Sequence, residues 1–171
     1  THGIGAIGGT VKADNLKSYT VNMSGGAVAT LGDLNARDAD IDTFDIDLTG
    51  AYGSTTLGTV YADNIESFDI DAGADGTSFA ITAFSIAETM GDITITANEN
   101  FNIDTGIAVT TSVGDITIVA TDTFDIGDTG NFIDTATTVG NISITSSGSG
   151  DGVHVGELDE ATTVGNITVV A

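Results

Sequence analysis

The chain has 171 residues and a formal net charge of −22, with 25 acidic residues against Lys12, Lys17 and Arg37. A hydrophobic fraction of 40% excludes a disordered acidic tail, and the lack of any basic stripe argues against nucleic acid and disfavours anionic membrane surfaces as partners. There is no Cys, hence no disulfide, thiolate metal site or thiol nucleophile, and no apolar run approaches the roughly 18 residues needed for membrane insertion as a helix. Of the acids 20 are Asp; with 28 Thr and 23 Gly this is a strand-and-turn composition that argues against helices. The chain starts at Thr1 with no charged, apolar, cleavable leader and reads as a processed or excised piece.

Along the chain, residues 1–8 form a Gly-rich lead-in and residues 9–171 a series of degenerate repeats. GTVKADNLKSYTVN from Gly9 matches GTVYADNIESFDID from Gly58 in length and register. Between them come LGDL at Leu31 and DADIDTFDID at Asp38, and LGTV follows at Leu57. After FAITAFSI (Phe79 to Ile86) the motif returns as MGDITI at Met90, VGDITI at Val113, VGNISI at Val139 and VGNITV at Val164. Counted from an earlier GGTV at Gly8, the successive spacings are 23, 26, 33, 23, 26 and 25 residues. A second motif follows the first five glycine motifs, as SYTVN, TFDID, SFDID, NFNID and TFDIG, and in four of these five copies its aromatic lies ten residues after the glycine.

Both motifs alternate with period two, so they read as short strands. A single coil cannot bury its inward Ile and Phe, whereas coils stacked about 4.8 Å apart can. The expected fold is all-β: a parallel β-solenoid (β-helix) in one domain, with six to seven coils of 23–33 residues, right-handed and roughly three-faced. One inward column is expected to hold Tyr19, Phe44, Phe68, Phe101 and Phe124, and a second Val21, Ile46, Ile70, Ile103 and Ile126. The 33-residue interval is expected to carry an extra loop or strand at FAITAFSI, and the motif glycines to supply positive φ or room for a close approach of backbone. The last copy stops where a second strand would begin, so continuation is expected, either in a larger chain or by head-to-tail self-association of subunits.

The outward positions of the second motif give two acidic ladders, Thr20, Asp45, Asp69, Asn102 and Asp125 in one, and Asn22, Asp47, Asp71 and Asp104 in the other. Carboxylates stacked about 5 Å apart repel by around 1 kcal/mol per pair in water. Salt can screen this, and a divalent cation can bridge neighbours; an oxygen-only donor set favours Ca²⁺. The candidate Ca²⁺ ladder is Asp38, Asp40, Asp42, Asp45, Asp47, Asp69, Asp71, Asp104 and Asp125. The competing reading is a solvated acidic face. The cluster from Asp38 opens like an EF-hand loop but has Thr43 at its sixth position and Thr49 at its twelfth, so that motif fails. His154 aligns with the outward Asp ladder, and His2 and His154 have no visible catalytic partner. Thr94, Thr117, Ser143 and Thr168 form an outward column that invites an ice-binding reading, broken at Tyr61, Asn35 and Lys12. Asn-x-Ser/Thr sequons occur at Asn22, Asn141 and Asn166, two of them inside the repeat motif, and GSGDGVHV (Gly148 to Val155) misses the order of glycine-aspartate calcium nonapeptides. The acids are spread evenly along the repeats, which does not suit an active site.

Taken together, the VGDITI and TFDID repeats, the acidity and the lack of Cys resemble the Asp/Thr/Gly-rich repeat regions of large secreted bacterial surface proteins, the S-layer proteins and type I-secreted adhesins. That resemblance spans the whole chain and implies a secreted, extracellular, cell-surface location and Ca²⁺ that stiffens the repeats. The expected function is non-enzymatic and structural, a rigid rod serving as filament subunit, surface-layer element or adhesin stalk. The alternative is a module that binds calcium, a glycan or, less in keeping with the sequence, ice.

Overall fold

A computed structural model describes residues 3–7, 9–14, 16–25, 27–51, 53–72, 77–98, 100–121, 124–134, 136–147 and 153–170. These form strands and turns with no helix, and every strand pairing among them is parallel. The chain is a β-solenoid, as its alternating repeats require.

Four ladders run along the stack. The first passes through Gly3–Ile7, Ala27–Leu31, the starts of the long strands Gly53–Ala72 and Thr77–Ala97, then Phe101–Ile103, Phe124–Asp134 and Val153–Leu158. The Gly-rich lead-in is thus itself a rung. The second ladder takes Val11–Lys12, Leu34–Ile41, the middles of the two long strands, Ile107–Val109 and the end of Phe124–Asp134. The third narrows to two residues in Ser112–Val113, Thr138–Val139 and Thr163–Val164. The fourth runs through Ser18–Gly25, Thr43–Ala51, the ends of the long strands, Ile116–Ala120, Ile142–Ser146 and Ile167–Val170. Five rungs of this ladder are partnered on both sides, fewer than the six to seven coils expected, because the outermost rungs have a neighbour on one side only.

Inward side chains make one continuous core. Leu31, Leu57, Ile81, Ile103 and Ile126 stack in the first ladder, and Ile41, Ile65, Met90, Val113 and Val139 in the third; all are buried. Burying each such side chain contributes about 1.5–3 kcal/mol.

The expected aromatic column is corrected. Tyr19, Phe44 and Phe68 do stack, with ring centroids 5.2 and 4.9 Å apart. Above Phe68, however, the column continues through Ile93, Ile116, Ile142 and Ile167, while Phe101 lies in the first ladder between Phe79 and Phe124. The second column divides likewise: Val21, Ile46 and Ile70 lead to Ile95, Ile118 and Ile144, whereas Ile103 and Ile126 follow Ile81. An inward site asks only for a large apolar side chain, so Ile93 takes the place of a Phe.

The cause lies in the 33-residue interval, which holds no oversized coil. Phe79–Ile81 and Phe84–Ile86 occupy the first and second ladders of an ordinary turn, directly beside Thr55–Leu57 and Val60–Ala62. The next glycine motif is displaced around the axis. Gly9, Gly32 and Gly58 stand before the second ladder, and Gly91, Gly114, Gly140 and Gly165 before the fourth. Phe84 braces this seam, edge-on to Phe68 at 4.9 Å and to Phe44 at 6.1 Å.

Of the two roles expected for the motif glycines, close approach is the one observed. Positive φ among the described residues is confined to Gly53, Gly106 and Glu160. A Cβ on Gly114 would lie 2.8 Å from the Gly91 carbonyl carbon and would run into Asp92 Oδ1; on Gly165 it would lie 2.8 Å from the Gly140 backbone.

Candidate functional site

The Asp or Asn that follows a motif glycine at Asp33, Asp92, Asp115 and Asn141 has a role that the repeat pattern did not disclose. Asp33 Oδ1 accepts the Thr59 N–H of the next coil at 2.9 Å. Beyond the seam the same contact becomes a chain: Asp92 Oδ1 accepts Asp115 N–H at 2.9 Å, Asp115 Oδ1 accepts Asn141 N–H at 2.7 Å, and Asn141 Oδ1 accepts Asn166 N–H at 3.0 Å. The carboxylate oxygens of Asp33, Asp92 and Asp115 cross to the coil above through the space that a Cβ on Gly58, Gly114 or Gly140 would fill. Only a short acceptor reaches that corner N–H, which explains why Gly-Asp and Gly-Asn recur together. The signal was present in the sequence as that pairing.

The candidate cation ligands fall into separate groups. Asp45 pairs in register with Asp69, and Asp47 with Asp71, so these four form a patch on the fourth ladder, as expected. Partial burial, with Asp45 and Asp71 adding repulsion, pushes the Asp69 carboxyl above the usual value. Hydrogen bonds from the Thr49 hydroxyl (2.6 Å) and N–H (2.9 Å) hold Asp47 below it. Asp40 accepts from Asn64 Nδ2 at 2.7 Å, and Asp42 meets Lys17 Nζ at 3.2 Å; exposed Asp38 belongs to the same strand as Asp40. Asp104 and Asp125 do not continue the patch. Asp104 accepts from Asn102 Nδ2 at 2.7 Å, and Asp125 stands on the first ladder between Asn102 and His154. Among the described residues no group of three or more His, Asp or Glu side chains could hold a metal ion.

His154 does align with an acid, its Nδ1 lying 2.9 Å from Asp125 Oδ1. His2 and most of GSGDGVHV lie outside the described residues. Thr94, Thr117, Ser143 and Thr168 form one outward column. Its continuation is Asp69, Asp45 and Thr20; Tyr61, Asn35 and Lys12 belong to the second ladder, where Arg37 sits 4.2 Å over the Tyr61 ring. The sequon asparagines are engaged: Asn22 Nδ2 donates to Asp47, Asn141 Nδ2 to Asp115, and Asn166 Nδ2 to Asn141.

The fold and these surfaces define the class as a parallel β-solenoid decorated by ladders of acids, amides and threonines. No family model, no curated protein and no solved structure matches the chain. No helix among the described residues is long and apolar enough to cross a membrane.

Proposed function

We propose that this chain is a non-enzymatic structural segment of a secreted bacterial surface protein, a stiff rod that serves as filament subunit, surface-layer element or adhesin stalk. The observation that carries the reading is the uninterrupted core: four parallel ladders enclose columns of buried Leu, Ile and Phe from Leu31 to Ile144. The polar groups follow the repeat along the axis, as befits an element whose work is to hold a distance. Antibody labelling of intact source cells tests the location, and labelling that requires lysis would overturn it. Hydrogen exchange tests the mechanics: all four ladders should be protected to a similar degree, and one fast-exchanging ladder would defeat the rod.

A second reading is cation bridging between facing carboxylates, favoured by the in-register pairs Asp45/Asp69 and Asp47/Asp71, where partial burial first and then the charges of Asp45 and Asp71 raise the Asp69 carboxyl. Thermal unfolding with Ca²⁺ and with a chelator, at matched ionic strength, decides it. A higher melting temperature in Ca²⁺ supports bridging, and equal values defeat it.

A further inference from the structure

The outer surface of the second ladder carries Tyr61 at mid-stack. Tyr61 pairs in register with Asn35 on one side and with Ser85 on the other, and Ala108 follows Ser85. In the adjoining outward position Thr59 pairs with Ala83. All of these residues are uncharged, in a chain with 25 acids. From the tyrosine ring to Ser85 the surface steps down, and the step forms a hollow of about 260 Å³ lined by Arg37, Tyr61, Ser85 and Ala87. Arg37 is the sole arginine of the chain, and its guanidinium carbon lies 4.2 Å from the centre of the Tyr61 ring. Among the described residues no carboxylate pairs with it, although exposed Asp38 is the next residue. Stacking on the ring holds the guanidinium in place and uses none of its five N–H donors.

We propose that this hollow is a subsite for one neutral hexose unit of a β-linked glucan. A β-linked gluco-configured unit carries its hydroxyls equatorially, which leaves flat C–H faces that suit the electron-rich face of an aromatic ring. Packed against Tyr61, such a unit places hydroxyl oxygens where the Arg37 N–H groups donate to them, and the Ser85 hydroxyl donates or accepts from the floor. The hollow is smaller than the roughly 300–1,000 Å³ of sites that enclose a whole drug-sized ligand, so it takes a single ring of a longer chain. A guanidinium also suits an oxyanion, but a net charge of −22, with Asp38 adjoining, opposes an anionic ligand. A neutral glycan meets no such repulsion. The site goes beyond the structural role and does not rest on the rod reading, since neighbouring coils in register suffice to build it.

The test is a titration of the ¹⁵N-labelled chain with cellohexaose, read by NMR. Amide shifts should saturate in the millimolar range and centre on Tyr61, Ser85 and Ala87. Tyr61→Ala and Arg37→Gln should each weaken binding about tenfold, the size of one aromatic or one charge-assisted contact. Ser85→Tyr, which fills the hollow from an exposed position, should abolish binding while keeping the parent's melting temperature, so loss of the site is told apart from loss of the fold. No saturable shift at Tyr61 and Ser85 overturns the subsite, as do shifts spread evenly over all the ladders. Binding by Ser85→Tyr as tight as the parent's overturns it too. An oligogalacturonate, with a carboxylate on every ring, should bind more weakly than cellohexaose; tighter binding would overturn the neutral-glycan assignment.

Discussion

The coils before the seam and those after it are built on one core with two decorations. From Leu31 to Ala72 the Gly-Asp corner precedes the second ladder and the fourth carries the paired acids Asp45/Asp69 and Asp47/Asp71. From Met90 to Ser146 the corner precedes the fourth ladder, whose outward positions are Thr94, Thr117 and Ser143 beside Thr96, Val119 and Thr145. Inward, the same column passes from Phe44 and Phe68 to Ile93 and Ile116 without a break. The core therefore tolerates a change of side-chain shape, and the corner motif is a movable device that joins whichever coils it sits between.

The strongest way to break this comparison is at the seam. Phe68→Ala should lower stability by about 3–5 kcal/mol in denaturant unfolding, since the ring is fully buried against Phe44 and Phe84. A double-mutant cycle should then show coupling between Phe68 and Ile93 and none between Phe68 and Phe101; the reverse result would restore a single aromatic column. Next in size are the glycines. Gly58→Ala and Gly114→Ala should each cost about 1–3 kcal/mol, because in both halves the new Cβ meets backbone and the corner carboxylate of the coil before. Gly9→Ala, with nothing within 4 Å, should leave the melting temperature unchanged; equal effects at all three positions would refute the packing explanation.

The corner oxygen should be worth less. Asp115→Ala strips acceptors from Asn141 N–H and Nδ2 and should cost about 1 kcal/mol, whereas Asp115→Asn keeps an acceptor and should recover most of it. Smallest is the titration of the acidic patch. Asp69 has a raised carboxyl in the fold, so the native state binds its proton more tightly than the unfolded chain does. Its charge therefore opposes folding at neutral pH, and the opposition fades as pH falls through the raised value. Asp69→Asn should melt slightly higher than the parent at pH 7 and at the same temperature at pH 3. Asp47 has the opposite sign: its contribution, present above the usual Asp range, is lost as acid protonates it. A melting curve of Asp69→Asn that lies below the parent's at pH 7 would show that the partly buried Asp69 charge does not oppose folding.

Much of the architecture is legible in the sequence. Period-two alternation marks the strands, and the recurrence of similar motifs makes stacking unavoidable, so Tyr19 over Phe44 and Asp45 beside Asp69 follow directly. The seam is not legible, because a long interval can mean either an enlarged coil or an ordinary coil followed by a displaced motif. Alternation says that Phe79, Ile81, Phe84 and Ile86 point inward, but not which ladder they face; only the pairing of Thr55 with Phe79 and of Val60 with Phe84 decides that. The corner contacts escape for another reason. Asp115 reads as one more outward acid until its oxygen is seen to lie under the N–H of Asn141.

The displaced corner bears on how such a chain can be lengthened by gene duplication. A copied stretch that spans one full turn keeps every inward column intact, wherever its boundaries fall. A copy whose boundaries follow successive Gly-Asp motifs across the seam includes more than a turn, and it rotates every later motif around the axis. Such a slip leaves the buried columns filled, since Ile and Phe are interchangeable there, yet it replaces carboxylates with hydroxyls on the fourth face. Recombination can thus repaint one side of the solenoid while selection on folding stays silent.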